Sequence, residues 1–596
     1  MAVKKRSELD PAYCWDLEAM YADDDLWEKE FSGASQEVED FRGFCGKMQE
    51  GPESLLKILK SRENMERKAE HLYVYANMRW HQDTANGKYQ AMAGKSAQLL
   101  TQVNDAQAFV EPEILALSEQ KVQKYMDNCP GLELYKRFFS EIFRGKEHVL
   151  TPDMEALLAR AQDMANAPQQ IFMNFNNADL TFGEIKDADG TAVTVTNGNY
   201  TVLLKNRDRR VRKDAFHAIY GAYEAHKNTL AATMDANTMS QRFFASARKY
   251  TSSRAMALDG AHIPEQVYDE LIEAVHEGLP LMYRYMQIRK QVMAVDELHM
   301  YDVYVPLTKS FEKKYTFEEA KTLVKDALSV MGEEYVSLLQ EGFDNGWIDV
   351  CENEGKRSGA YSWGSYDSHP YVLLNYHGSL SDVFTLAHEM GHAIHSYYSY
   401  KNQPYVYAGY HIFVAEVASI CNEMLLVQYL IGKAKDAEEK KYLINYLLEQ
   451  FRTTLYRQTM FAEFEVKAHG LKAEGQTLTA QQLCEIYYEL NRQYFGPNVV
   501  IDKEIAMEWS RIPHFYTPFY VYQYATGFAA ALAISGKILR GEENILAQYK
   551  TFLSGGCSMD CIDLLKLCGV DMTRPEPVRE ALSIFDKYLE EFGKLF

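Results

Sequence analysis

Long stretches of the chain place apolar side chains at every third or fourth position, with few Pro or Gly residues inside, and this spacing predicts amphipathic helices. Only 16 of the 596 residues are proline, which agrees with long uninterrupted helices. The pattern therefore predicts a mainly α-helical protein. The predicted helices lie near residues 54–81, 100–126, 152–167, 207–248, 264–293, 317–341, 412–432, 437–468 and 480–495.

Two short segments depart from the helical pattern. Residues 180–196 carry β-prone side chains on either side of the turn sequence Asp-Ala-Asp-Gly at 187–190, which predicts a hairpin. Residues 371–376, Tyr-Val-Leu-Leu-Asn-Tyr, predict one short strand. The β content should therefore be small, and the hairpin marks a candidate domain boundary near residue 200.

Composition and charge exclude several classes of protein. A hydrophobic fraction of 47% and a charged fraction of 25% are those of an ordinary globular chain. With 63 basic against 84 acidic side chains, the net charge of −21 opposes binding to nucleic acid and to an anionic membrane surface. We expect no signal peptide, because no apolar run follows Lys4-Lys5-Arg6, and no membrane span. Nine scattered cysteines indicate reduced thiols and a cytoplasmic location.

The strongest chemical signal is the motif His-Glu-x-x-His at residues 388–392. On a helix, positions i and i+4 share one face, so the imidazoles of His388 and His392 can reach the same metal ion. Glu389 then lies beside the metal, where it can take a proton from bound water. A capping sequence, Ser-Leu-Ser-Asp at 379–382, predicts where this helix begins.

A catalytic zinc site needs a third protein ligand. Glu416 is the better candidate, because it sits in an apolar segment where an unpaired carboxylate would be costly and a metal would be its partner. His395 is the alternative, although three ligands along one helix converge poorly. Glu423, seven residues after Glu416, is a candidate to orient a ligand histidine.

Residues 511–527 contain the densest group of neutral hydrogen-bond donors in the chain. Such donors lower the barrier of peptide hydrolysis when they point at the developing oxyanion. The alternative is that these rings only pack a core helix. The donors are His514, Tyr516, Tyr520, Tyr522 and Tyr524.

The motif at 388–392, followed by Phe-Val-Ala-Glu-Val-Ala-Ser at 413–419, resembles the thimet oligopeptidase family of zinc peptidases and, within it, the oligoendopeptidase F subgroup. The resemblance runs nearly from end to end, but only these two segments are highly specific. Supporting matches are Trp-Asp-Leu-Glu at 15–18, Gly-Asn-Tyr at 198–200, Pro-Tyr-Val-Tyr-Ala at 404–408 and His-Phe-Tyr at 514–516.

The resemblance implies an almost wholly helical fold, with two lobes around a deep channel that holds one zinc ion per chain. It implies that His388, His392 and Glu416 bind the zinc and that Glu389 activates the attacking water. The implied reaction is hydrolysis of internal bonds of short oligopeptides in the cytoplasm, by Glu-assisted attack of zinc-bound water. The sequence then divides into an N-terminal helical lobe, 1–199, and a zinc peptidase catalytic region, 200–596.

The resemblance also implies contacts with the peptide backbone. The strand at 371–376 is expected to line the channel and to pair with the substrate through a free edge. Leu373 and Asn375 are the expected contacts on this strand.

Other contacts are implied for the aromatic segment. His514 matches the substrate-binding histidine of the family. Tyr522 is carried over as the oxyanion donor, and Tyr516 or Tyr520 is expected to supply another hydroxyl to the substrate.

Two alternatives remain open on the sequence. A metallocarboxypeptidase or dipeptidyl carboxypeptidase would need a cation for the substrate's C-terminal carboxylate, and Arg511 is a possible anchor. A peptide-binding protein with a structural zinc is the other, and the presence of Glu389 argues against it.

Overall fold

The computed structural model describes residues 3–309 and 313–596. The chain forms two compact units, each assembled from segments that are distant in sequence. Unit 1 comprises Met1–Lys146, Glu312–Leu426 and Ile534–Gly569; unit 2 comprises Glu147–Phe311, Val427–Ala533 and Val570–Phe596. The sequence division at residue 200 stays a prediction.

Unit 1 is mainly helical, as predicted. Its largest helix, Pro52–Gln82, starts with a proline at its first position, where the missing N–H costs nothing. It packs against Asp24–Arg42 and Gly87–Gln107 around an apolar core that includes Trp27 and Tyr75. The other helices that begin in this unit are Val110–Ala116, Glu119–Asn128, Lys136–Arg144, Phe317–Ala327, Glu333–Asp344, Leu380–Asn402, Tyr405–Ala408, Ile412–Lys433, Ile545–Leu553 and Cys561–Leu567.

A three-stranded sheet in unit 1 corrects one prediction. The strand predicted at 371–376 is present as Tyr371–Leu373, but it is the central strand, parallel to Ile348–Asp349 and antiparallel to Tyr361–Trp363. It has no free edge, so the expectation that it pairs with a substrate backbone is wrong. The outer side of Tyr361–Trp363 is an edge of the sheet.

Unit 2 is also mainly helical, and it contains the predicted hairpin. Strands Glu184–Lys186 and Ala192–Thr194 pair antiparallel, which confirms the hairpin near 180–196. Leu298–His299 and Val499–Val500 form a second, parallel pair. The helices that begin in this unit are Pro152–Asn174, Tyr200–Leu204, Arg209–Ala225, Lys227–Ala247, Ser253–Asp259, Glu265–Glu277, Leu279–Val292, Ala437–Gln450, Arg457–Ala473, Ala480–Phe495, Tyr522–Leu539 and Glu576–Gly593.

Several predicted helices are broken where the sequence pattern runs on. The helix predicted at 264–293 ends at Glu277 and restarts at Leu279, with Gly278 between them. The helix predicted at 317–341 is interrupted at Gly332, whose φ of 88° is outside the helical range. Apolar periodicity therefore finds these helices but does not mark their ends.

In the described part of the chain, Ile412–Lys433 is the one helix whose length and apolar composition would suffice to cross a membrane. Of its most apolar 18-residue window, 72% is buried inside the protein. Burial of this kind is typical of a core helix, and the carboxylates of Glu416 and Glu423 lie on it.

Candidate metal centre

Two helices of unit 1 carry the predicted metal ligands. The histidine helix, Leu380–Asn402, starts at the predicted cap, where Ser379 Oγ accepts the N–H of Asp382 and the Asp382 carboxylate accepts the N–H of Ser379. The glutamate helix, Ile412–Lys433, follows after a short connection.

The two helices approach each other very closely at Gly391. A Cβ atom at this position would lie 2.6 Å from the Cα of Ser419 and 2.8 Å from the carbonyl oxygen of Ala418. A second link is the buried Asn422, whose side chain donates to the carbonyl of Ala387 at 3.0 Å. The glycine inside the His-Glu-x-x-His motif thus has a packing role, because any larger residue would push the helices apart.

This packing brings the side chains of His388, His392 and Glu416 together. Their ligand atoms all lie within 4.8 Å of one another. Glu416 Oε2 is 3.4 Å from His388 Nε2 and 3.5 Å from His392 Nε2. Donors bound tetrahedrally to zinc at 2.0–2.1 Å are about 3.3 Å apart, so these separations fit a zinc ion.

Other side chains orient this set of donors. His388 Nδ1 lies 2.5 Å from Glu423 Oε1, so Nδ1–H donates to this carboxylate and Nε2 is the ring nitrogen left for a metal. The Ser419 hydroxyl donates to Glu416 Oε2 at 3.0 Å. Glu423 was predicted as a partner for a ligand histidine, whereas nothing in the sequence singled out Ser419.

The charges of the cluster suit a cation. Burial alone would lower the pKa of His388, but the hydrogen bond to Glu423 and the neighbouring carboxylates raise it to about 9. Glu416 is half-buried, which raises its pKa, yet the two histidines outweigh this effect and bring it down to about 2. Glu389 is 7% exposed, and burial raises the pKa of its carboxyl. A buried acid with a raised pKa beside metal ligands is suited to act as a general base.

His395 is placed apart from this cluster. It is 1% exposed, and its ring stacks on Tyr410 with the centroids 3.9 Å apart. Burial lowers the pKa of His395 to about 3, so the ring is neutral. The structure brings Glu416, rather than His395, to the two histidines.

The two residues predicted to contact substrate on the strand, Leu373 and Asn375, instead contact other parts of the protein. Leu373 is fully buried. Asn375 donates from its side chain to the carbonyls of Arg357 and Gly359 at 3.1 and 2.8 Å. Asn375 thereby holds the segment that leads into the edge strand Tyr361–Trp363.

The predicted aromatic donors lie in unit 2, and they fall into two groups. His514, Tyr520 and Tyr524 are partly exposed, and their ring centroids are 5.6–6.2 Å apart. We call these three residues the aromatic trio. Burial lowers the pKa of His514, which keeps its imidazole neutral.

Tyr522 and Tyr516 belong to the interior of unit 2. Tyr522 is 3% exposed, with its ring 4.9 Å from that of the fully buried Tyr268. Tyr516 is buried and stacks on Phe172 with the centroids 4.4 Å apart. The role carried over to Tyr522, that of oxyanion donor, stays a prediction, and its burial favours the more exposed aromatic trio for that role. Tyr524 was named among the candidate donors but was given no role of its own, and no local signal in the sequence set it apart from its neighbours.

Comparisons with known proteins agree with this centre. The family model "Peptidase family M3" matches residues 202–584, and the model "Oligopeptidase F" matches residues 113–182. The chain is 45% identical to Oligopeptidase PepF of Bacillus subtilis over 590 residues, 99% of this chain and 88% of that protein. The chain belongs to peptidase family M3.

Two further relatives support this membership. Group B oligopeptidase PepB of Streptococcus agalactiae is 40% identical over 99% of this chain and 98% of its own length. The crystal structure of oligoendopeptidase-F from Enterococcus faecium matches with a TM-score of 0.75 and 36% identity, covering 96% of this chain and 99% of that one. As a member of family M3, the chain is a metalloendopeptidase that cleaves oligopeptides.

Proposed function

We propose that the chain is a zinc-dependent endopeptidase that hydrolyses internal bonds of short oligopeptides, with Glu389 as the general base. The observation that carries this proposal is the convergence of His388, His392 and Glu416 within 4.8 Å. Two histidine nitrogens and one carboxylate oxygen are one of the donor sets of catalytic zinc sites, which have three protein ligands rather than four. When bound, zinc supplies a Lewis acid that polarises the scissile carbonyl and acidifies water.

The protein's own groups account for the proton transfers. Glu389 takes a proton from the attacking water and returns it to the leaving amine. Burial raises the pKa of Glu389, which makes its carboxylate a stronger proton acceptor. Glu423 holds the Nδ1 proton of His388 and so keeps Nε2 directed at the metal.

We assign the pairing with the substrate backbone to the edge strand Tyr361–Trp363, in place of the central strand. The opposite edge of the sheet already carries the N-terminal segment, because Asp16 N–H donates to the Gly346 carbonyl at 2.7 Å and Val350 N–H to the Tyr13 carbonyl at 2.9 Å. An extended peptide can add to an exposed strand edge.

We assign oxyanion stabilisation to the aromatic trio. Tyr520→Phe and Tyr524→Phe should each lower kcat by roughly 10²–10³-fold with little change in KM, because a donor used only in the transition state is lost. Tyr522→Phe is the matched control and should keep its kcat. A loss confined to Tyr522→Phe would return the role to that residue.

We also propose a cytoplasmic location and neither nucleic-acid nor membrane partners. The nine cysteines are free thiols in the structure, which suits a reducing compartment. The net charge of −21 supports the absence of nucleic-acid and membrane partners.

The direct test is hydrolysis of a quenched fluorescent nonapeptide, with its C-terminus amidated, before and after treatment with a strong chelator. We expect cleavage inside the peptide, loss of activity with the metal, and recovery on adding zinc. Activity that survives complete removal of metal would contradict the proposal.

A further inference from the structure

One buried carboxyl group in unit 2, that of Glu465, is only partly hydrogen-bonded. Glu465, on the helix Arg457–Ala473, is fully buried. Its Oε1 accepts the backbone N–H of Phe519 at 2.7 Å, and its Oε2 has no hydrogen-bond partner among the described residues. Burying a carboxyl group with only one of its oxygens hydrogen-bonded costs free energy. The presence of Glu465 at this position therefore needs an explanation.

That hydrogen bond holds an unusual turn. Phe519 has φ of +56°, in the left-handed region that favours glycine, and Pro518 directly before it favours a turn. The Phe519 ring is buried and lies 4.6 Å from His469 and 5.8 Å from Tyr268. A bulky residue in this conformation is strained, and such strain is found most often at functional sites.

The turn lies where it can set the geometry of the aromatic trio. It joins the 3-10 helix Pro513–Tyr516, which carries His514, to the helix that starts at Tyr522. Tyr520 directly follows Phe519, and its ring is within 13° of parallel to that of His514. A rotation about the Phe519 backbone would therefore move the Tyr520 hydroxyl relative to His514.

We propose that Glu465 is a positioning residue, which fixes the turn at Phe519 and thereby orients Tyr520 for catalysis. The inference rests on the role proposed above for Tyr520. Burial raises the pKa of the Glu465 carboxyl to about 8, so it changes ionisation near neutral pH. Both forms leave Oε1 able to accept the N–H of Phe519, so the function depends on the acceptor's position rather than its charge.

The test compares three variants. Glu465→Gln keeps an acceptor at the same distance, whereas Glu465→Asp keeps the carboxyl group but withdraws the acceptor by one methylene. The matched control is Glu463→Asp, on the same helix, whose carboxylate binds His276 and Tyr494 instead. We expect Glu465→Asp to lose roughly 10–100-fold in kcat with KM little changed, as a misplaced group does. Glu465→Gln and Glu463→Asp should keep kcat close to that of the parent.

A double variant shows whether Glu465 acts through Tyr520. Tyr520→Phe alone should lower kcat, and adding Glu465→Asp should lower it little further. If the two losses multiply, or if Glu465→Gln is as impaired as Glu465→Asp, the inference is overturned. If Tyr520→Phe alone keeps full kcat, the proposed role of Tyr520 fails, and the inference falls with it.

Folding and metal content are measured for every variant, so that kcat refers to folded, loaded enzyme. Should Glu465→Asp not fold, Glu465→Gln decides the question by itself. A kcat close to that of the parent on both sides of neutral pH supports a positional role, and a large loss overturns it.

Discussion

At His388, one hydrogen bond decides which ring nitrogen is available to a metal. Glu423 accepts from Nδ1 at 2.5 Å and raises the pKa of the ring to about 9. In the metal-free protein this histidine is therefore protonated at neutral pH, and it must lose a proton when a metal binds.

Zinc binding near neutral pH should accordingly release about one proton from His388. Glu416, with a pKa of about 2, is already ionised and contributes none. Release should fall as the pH rises through about 9. Calorimetric titration in buffers of different ionisation enthalpy measures it, and Glu423→Gln should release less. Equal release by both proteins would contradict this account.

The raised pKa of His388 also affects the stability of the fold. Because the folded pKa of His388 lies above its ordinary value of 6.5, the ion pair with Glu423 stabilises the metal-free fold fully below that pH. This contribution is lost as the pH rises through about 9.

A substitution at Glu389 can separate its catalytic role from metal binding. Glu389→Gln should keep one metal per chain, because His388, His392 and Glu416 are untouched. It should lose roughly 10²–10⁴-fold in kcat, the usual contribution of a general base. Metal analysis and kinetics on the same sample test this. A variant that loses its metal would make Glu389 part of the binding site.

At the scale of elements, the centre depends on how closely the histidine and glutamate helices pack. Gly391→Ala would place a Cβ 2.6 Å from the Cα of Ser419, so the helices must separate. Overpacking of this kind costs about 1–3 kcal/mol, and it moves Glu416 away from the histidines. We expect a lower Tm and at least roughly tenfold weaker zinc binding.

Gly432→Ala is the matched control on the glutamate helix. A Cβ there meets no atom within 4 Å, so this variant should bind zinc normally and be as stable or slightly more so. If Gly391→Ala also behaves in this way, the close approach of the helices is not needed for the centre.

The sequence predicts the elements of the centre well, because its signals are local. The spacing of His388 and His392 and the capping box at Ser379 lie within one helix, and Glu416 stands out as an acid in an apolar run. The free edge predicted at 371–376 fails because the flanking strands come from residues 348–349 and 361–363, and pairing between such segments leaves no local trace.

The burial of Tyr522 likewise depends on contacts between segments that are distant in the sequence. The resemblance to the family selected it, yet its ring packs on Tyr268, more than 250 positions earlier in the chain. Burial of an aromatic residue depends on such distant partners, so its accessibility could not be read from the segment alone.

At the scale of the whole molecule, the prediction concerns substrate size. The edge strand Tyr361–Trp363 can pair only with a backbone whose own hydrogen bonds are unmade. We expect internal cleavage of peptides of roughly 6–20 residues, while folded proteins and casein are spared. Parallel digests of casein and a nonapeptide at equal enzyme concentration test this. Casein cut at a comparable rate per bond would contradict the oligopeptide preference.

The central claim is that Glu416 completes a zinc site with His388 and His392. The most direct measurement is the zinc content and zinc affinity of Glu416→Ala beside His395→Ala, by metal analysis after dialysis and by competition with a chelating dye. We predict about one zinc per chain in the parent and in His395→Ala, and a large loss of zinc in Glu416→Ala. Zinc retained by Glu416→Ala and lost by His395→Ala would contradict the account.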